Sequence, residues 1–411
     1  MKTVLMVAFH FPPLSGTSGI LRTLHFARHL PRFGWTPIVL TAHPMAYAQT
    51  DPRSLSMIPP ALIVERAFAF DGARHFSLLG RYPACLARPD RFASWRFDAL
   101  RRARTLIARH QPSLLWSSFP ISSAHQIGAA LCRRFKLPWV ADFRDPMAQP
   151  GYPSDPKTFA AWLRIEKTAL TESAAAVFVA PGAKRFYEAR YPAAARPRWR
   201  VIENGFDEES FPPPANRGAL EGTHLTLLHS GVIYPSERDP RPLFEALATL
   251  DTRTLPAFRL RFRASGHDAW LKGLIARYGI EDLIELAPSI SHTEALIEMQ
   301  AADGLVVIQA KNCNEQIPAK LYEYCRAHRP ILGLVDREGD TAQCLREAFP
   351  GTPQLCNPDD APAIAAALRS FLLALKNQSA HLPDPHWVRQ ASRAERTRSL
   401  ARLFDEIVEG T

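Results

Sequence analysis

Short apolar runs alternate along this chain with longer stretches whose apolar residues recur every three or four positions. The first kind reads as buried parallel strands and the second as the amphipathic helices that cover them. Residues 3–9 form the first such strand, followed by a loop at 12–19 and a helix over 20–32. A strand at 37–41 comes next. Residues 43–92 are irregular and proline-rich, with one strand-like run at 61–64. Helices are expected at 93–109, 123–134, 157–172 and 183–190, with strands at 113–116, 138–142, 176–180 and 200–202. Pro and Gly then crowd residues 211–223 as in a linker. Beyond it the alternation resumes, with strands at 224–229, 258–264, 283–287, 304–308 and 331–335. Helices at 241–250, 268–278, 293–300, 318–326 and 362–375 separate them or follow them. Asp340 is expected to cap a further helix, and residues 385–408 form an amphipathic helical tail. Alternation of this kind in both halves predicts an α/β protein built from two doubly wound, Rossmann-like domains facing across a cleft. The expected division is 1–205, 206–384 and a closing helical segment, 385–411, that packs back on the first domain.

Composition supports this picture and narrows the function. The chain has 411 residues, more than one core usually holds, and 46% of them are apolar. No run of 18 apolar residues occurs, so no membrane span is expected. The opening MKTVLMVAFHFPPLSG has a short apolar run and a double proline, which suits a strand and loop better than a signal peptide. Six scattered cysteines without a CxxC pair fit reduced thiols in a cytoplasmic protein. No HExxH spacing and no Asp-x-Asp pair is present, so neither a metal nor a bound cofactor is expected. Charge is unevenly spread: residues 1–200 carry 28 Lys and Arg against 11 Asp and Glu, whereas 201–411 carry 22 against 29. A basic first half points to an anionic partner, either a phosphate-bearing acceptor or a membrane surface, unless the arginines merely coat exposed helices. Nucleic acid is disfavoured, since no zinc-finger, RNP or helix-turn-helix signature is present.

The candidate chemistry centres on residues 303–341. An apolar strand ends in a polar loop, and Pro318 suits the first turn of the helix that follows. A helix tip offers unpaired N–H groups and partial positive charge, which favour a phosphate near Ile317, Pro318, Ala319, Lys320 and Leu321. Glu323, farther along the helix, would repel phosphate but accept hydrogen bonds from vicinal hydroxyls, as on a ribose. Glu315 in the loop could do the same for a second sugar. Phosphate at the tip and a sugar at each carboxylate describe a nucleotide-sugar; the alternative is a surface helix with two solvated glutamates. Other candidates lie at strand ends. Gly16 and Gly19 would let a ligand approach backbone N–H groups. Asp142, Arg144 and Asp145 are either a ligand-binding tip or an ion pair that orders its loop. His125 either approaches the reaction centre or is a packed helix histidine.

These segments together resemble the retaining glycosyltransferases of family 4, which have the two-domain GT-B fold. The resemblance runs over nearly the whole chain. It is carried by Glu315-x7-Glu323, by Glu203-Asn204-Gly205-Phe206-Asp207 and by the loop from Ser230-Gly231 to Arg238. FHFPPLSGTSGILR, SSFPISSAHQIG and DFRDP are similar to bacterial members that build surface polysaccharides. The resemblance implies a hexosyltransferase-type enzyme with a nucleotide-sugar donor and a glycan or lipid-linked acceptor. It also implies ribose binding by Glu323, a donor sugar at Glu315, and diphosphate at Ser230, Gly231 and residues 317–320. Arg238 matches one of the two basic residues that the family places in the loop. The other place holds Val232, and Lys320 or Lys311 is expected to compensate. Arg144 stands where many members have a histidine. The acceptor is expected near Gly16, Gly19, Arg22, Asp142 and Arg144–Asp145. Two rival readings stay open: a non-catalytic nucleotide-sugar-binding protein, for which Val232 argues, or a nucleotide-sugar epimerase. A GT-B phosphorylase would need a cofactor-lysine segment, and none is seen.

Overall fold

The computed structural model describes residues 2–17, 19–76, 82, 87–194, 198–213, 224–235, 238–351 and 353–410. The chain divides into two compact units, Met1–Glu203 with Arg393–Thr411, and Asn204–Ser392. Most of the proline-rich stretch read as a linker, 214–223, lies outside the described residues.

The first unit contains seven strands: β1 (Lys2–Ala8), β2 (Trp35–Ala42), β3 (Ile63–Ala67), β4 (Leu114–Ser118), β5 (Trp139–Phe143), β6 (Ala175–Phe178) and β7 (Trp199–Val201). All pair in parallel, in the order β3-β2-β1-β4-β5-β6-β7. β1, β2, β4, β5 and β6 are buried along nearly their whole length because helices cover both faces of the sheet, whereas the edge strand β3 is only partly covered. β3 begins two residues later than its apolar run suggested. Its register with β2 (Ile38 to Ile63) carries Glu65 onto the sheet edge, where Arg102 of the helix Trp95–His110 pairs with it. The closing helix, Arg393–Glu409, belongs to this unit. Its Leu400, Leu403, Phe404 and Ile407 join the core beneath β1 and β2, and Lys2 pairs with Asp405 at 3.0 Å.

The second unit contains β8 (Leu225–Ser230), β9 (Phe258–Arg263), β10 (Ile284–Ala287), β11 (Gly304–Ile308), β12 (Ile331–Leu334) and β13 (Gln354–Cys356). These strands are also parallel, in the order β10-β9-β8-β11-β12-β13. Short polar residues start three of its described helices. Asp360 accepts from the Ala363 N–H ahead of Ala361–Lys376, and Ser291 with Glu294 makes a capping box on His292–Ala301. Asp340 does not cap its helix. Gly339 takes that place, and Asp340, buried as the first helical residue, donates its N–H to the Asn314 carbonyl at 2.9 Å. The expected helical tail is two helices, because the chain breaks at Ala391 and Ser392. Pro385–Gln390 stays with the second unit while Arg393–Glu409 goes to the first.

Candidate functional site

Each sheet reverses its strand order next to its first strand, between β1 and β4 and between β8 and β11. Open α/β sheets bind ligands at such a switch point, beyond the carboxyl ends of the strands. The sequence candidates gather at these two places, one group in each unit.

In the second unit the group is formed by the loops after β8, β9 and β11 and by the helix Ala319–Arg326. Pro318 precedes this helix in extended conformation (φ −59°, ψ 130°), and no described side chain caps its first turn. The Leu321 N–H turns back to the Pro318 carbonyl at 3.0 Å, which leaves the Ala319 and Lys320 N–H groups to face an anion. Leu321, Tyr322, Tyr324 and Cys325 fix the helix in the core, and Ile317 anchors its approach. Leu321 is fully buried and its N–H is spent on the Pro318 carbonyl, so it packs the helix and does not meet a ligand as expected. Buried Gln309 holds the loop shape by donating to the Cys313 and Gln316 carbonyls at 2.9 and 3.0 Å. Thr341 also donates to the Gln316 carbonyl, and the Asn314 amide donates to Asp336. Glu315 is exposed on that loop. Glu323 is half-buried on the second turn of the helix, 3.9 Å from the His292 imidazole.

The loop after β8 meets the helix directly. The Tyr324 hydroxyl accepts from the Ser230 N–H at 2.7 Å. Gly231 adopts φ +111°, a conformation that favours glycine, and a Cβ there would lie 2.9 Å from Lys320 Nζ and push the lysine end aside. Lys320 Nζ lies 3.2 Å from His229 Nε2, while His229 Nδ1 donates to the Val306 carbonyl at 2.9 Å. Burial first, and the Lys320 charge second, keep His229 well below its ordinary range. Burial, followed by the nearby Arg238 guanidinium, brings Lys320 down to about 7. Arg238 curls over the Tyr234 ring and donates to the Val232 carbonyl at 2.7 Å. The Val232 side chain packs over Gly266, where a Cβ would lie 3.1 Å from it. Lys311 instead faces Asp359 at 3.7 Å.

In the first unit, Gly16 (φ +77°) turns the loop after β1, and Gly19 opens the helix Gly19–His29. A Cβ on Gly19 would collide with the His10 imidazole and lie 3.0 Å from Arg144 Nη1. Arg144 donates to the Gly19 carbonyl at 3.0 Å, and burial pulls its pKa below the ordinary range. Asp145 follows it, half-buried. Three residues expected near an acceptor are occupied by the fold itself. Arg22 and Asp142 pair with each other at 2.7 Å with 3% and 0% of their side chains exposed. Arg22 also donates to the Ile202 and Glu203 carbonyls, and Asp142 accepts from Ser118. Those bonds consume their capacity, so they brace β5 against the helix Gly19–His29. His125 is fully buried, with Nδ1 2.8 Å from Ser117 Oγ and its ring on Phe143. It is the packed helix histidine.

Sequence reasoning did not single out His10, His229, Gln309 or Tyr324. His10 stands beside Gly19 and Arg144; burial holds its pKa down to about 3, and its Nδ1 has no hydrogen-bond partner among the described residues. His10 lies two residues past β1 and His229 near the end of β8, each beside a switch point, and that position is the only signal the sequence offered.

Residues 21–210 match the model of Glycosyltransferase Family 4. No curated protein matches by sequence. Among solved structures, the chain is similar to sucrose-phosphate synthase from Thermosynechococcus elongatus, at 17% identity and TM-score 0.63 over 100% of this chain and 97% of that one. Anabaena HepE, solved with UDP and glucose, is 16% identical with TM-score 0.62, covering 100% and 99%. A UDP-N-acetylglucosamine 2-epimerase is 11% identical with TM-score 0.57, covering 100% and 96%. At these identities the likeness establishes the fold, two Rossmann-like domains of the GT-B type, which transferases and epimerases share.

Proposed function

We propose that this chain, whose residues 21–210 match the family 4 model, is a glycosyltransferase that moves a sugar from a nucleotide-diphosphate-sugar to an acceptor hydroxyl with retention of anomeric configuration. One observation carries the reading. At the switch point of the second unit an uncapped helix start, Gly231, Arg238 and Lys320 converge, with carboxylates at Glu315 before the helix and Glu323 along it. Amides and cations suit a diphosphate, and Glu323 suits the vicinal hydroxyls of a ribose. Glu315 faces the transferred sugar.

Breaking the glycosidic bond leaves negative charge on the departing diphosphate. Fixed donors aimed at that charge lower the barrier most, and Arg238, Lys320 and the helix amides supply them. The protein itself provides the positive charge, so chelators should leave the rate unchanged. The first unit holds the acceptor through its own switch-point loop, at Gly16, Gly19, Arg144 and Asp145.

The acceptor belongs to surface-polysaccharide assembly and is glycan or lipid-linked, and the protein works at the cytoplasmic face of a membrane. Support comes from the helix Trp95–His110, where Phe97 is 71% exposed beside Arg96. An adjoining groove is lined by Phe70, Phe76, Arg91 and Arg96. No helix among the described residues is long and apolar enough to cross a membrane. Flotation with anionic and neutral vesicles tests the docking: binding to the anionic ones alone is expected, and binding to neither refutes it.

The epimerase reading is separated by one assay. With candidate UDP-, GDP- and ADP-sugars, the transferase releases nucleotide faster when acceptor is present. An epimerase converts the donor with no acceptor.

A further inference from the structure

The loop after β8 offers one cation, Arg238, where the diphosphate of the proposed donor would lie, because position 232 is valine and its side chain covers Gly266. The space above Gly231 is filled from the opposite side, by Lys320 reaching back from the helix Ala319–Arg326. Nζ of Lys320 rests 3.2 Å from His229 Nε2. The tautomer of His229 is set by its other nitrogen, which donates to the Val306 carbonyl, so Nε2 presents a lone pair to the amine. Two charged groups act on Nζ besides. Arg238 approaches from the loop and repels a positive charge there, while Glu323 on the same helix favours one. The Tyr324 hydroxyl is engaged with the Ser230 N–H. No carboxylate lies within ion-pair distance of Nζ among the described residues.

We propose that Lys320 is the second cation of the diphosphate subsite and that it becomes charged on binding, so that a nucleoside diphosphate enters the site together with a proton from solvent. This rests on the donor-site reading above. In the free protein the amine is half-buried, hydrogen-bonded to a neutral imidazole and faced by a guanidinium. A bound diphosphate brings two or more negative charges to the same space, which reverses the balance in favour of the ammonium form. The amine lone pair takes up the proton, and no bond to the ligand forms. His229 is a positioning residue that holds Nζ over Gly231. Burial, with Arg238 next, brings the free amine down to about 7, so at pH 8 most of a proton would be drawn in.

Calorimetric titration of UDP, GDP and ADP, in buffers of different ionisation enthalpy at pH 8, measures that proton. The terminal phosphate titrates in a neighbouring range, so the reading is the difference between the native protein and Lys320→Arg, whose side chain is charged throughout. The native protein should take up most of one proton more than Lys320→Arg. Its affinity should weaken between pH 6 and pH 9 while that of Lys320→Arg stays level. Lys320→Met should bind at least tenfold more weakly at pH 6, with melting curves confirming that both variants fold. Equal proton uptake by the native protein and Lys320→Arg, or unchanged affinity in Lys320→Met, overturns the inference. If binding depends on Glu323 but not on Lys320, only this inference fails. If no nucleotide binds the native protein, the donor site fails with it.

Discussion

Glu323 stands on the second turn of a helix that the fully buried Leu321, Tyr322 and Tyr324 fix in the core, with its carboxylate 3.9 Å from the His292 imidazole. Replacing it by alanine removes charged hydrogen bonds to the ribose and should weaken nucleotide binding by roughly 1–3 kcal/mol, with little change in melting temperature. Gly231→Ala tests the crowding above the loop. A methyl group there meets Lys320 Nζ in a backbone conformation that disfavours any side chain, so nucleotide affinity should fall in equilibrium titrations even though no charge is lost. His125 supplies a pH signature. Burial keeps its imidazole neutral and lowers its pKa to about 4 from 6.5. Between those values the unfolded chain binds a proton that the folded chain refuses. The stability present above pH 6.5 is therefore lost as pH falls towards 4. Melting scans across this window should show the loss, and His125→Gln should reduce it while leaving the parts due to His10 and His229.

The helix Ala319–Arg326 depends on the loop that delivers it. Gln309 ties two loop carbonyls together from a buried position, and Gln309→Ala would leave both without that donor. We expect a cost of about 1–3 kcal/mol in denaturant unfolding and a weaker nucleotide affinity from the loosened helix start. The helix and its carboxylates were legible in the sequence because a proline start, apolar spacing and a preceding apolar strand are local signals. Gln309 was not legible, since its partners lie across a loop whose path the sequence does not state. The same limit applies to Arg22 and Asp142. They are 120 residues apart, and their charges drew attention as binding groups. Only the fold shows them spent on each other. The β3 start and the broken helical tail were missed for a related reason: sheet register and unit membership, rather than local propensity, set those ends.

The strand–helix alternation sufficed to read two doubly wound sheets, each with its candidate residues at a switch point. The chain nevertheless returns to its first unit at the end. Phe404 of the closing helix lies 5.2 Å from the Trp35 ring and is fully buried, so Phe404→Ala should cost about 3–5 kcal/mol. Hydrogen exchange should then show protection lost in residues 2–203 and kept in 224–392. The central claim is that the second unit binds a nucleotide through the helix Ala319–Arg326, and a melting-temperature screen against UDP, GDP and ADP tests it most directly. A ligand that binds only the folded state raises the apparent melting temperature. The account predicts that one of the three raises it for the native protein and does so far less for Glu323→Ala. No shift with any of them, or an equal shift in a folded Glu323→Ala, would contradict it.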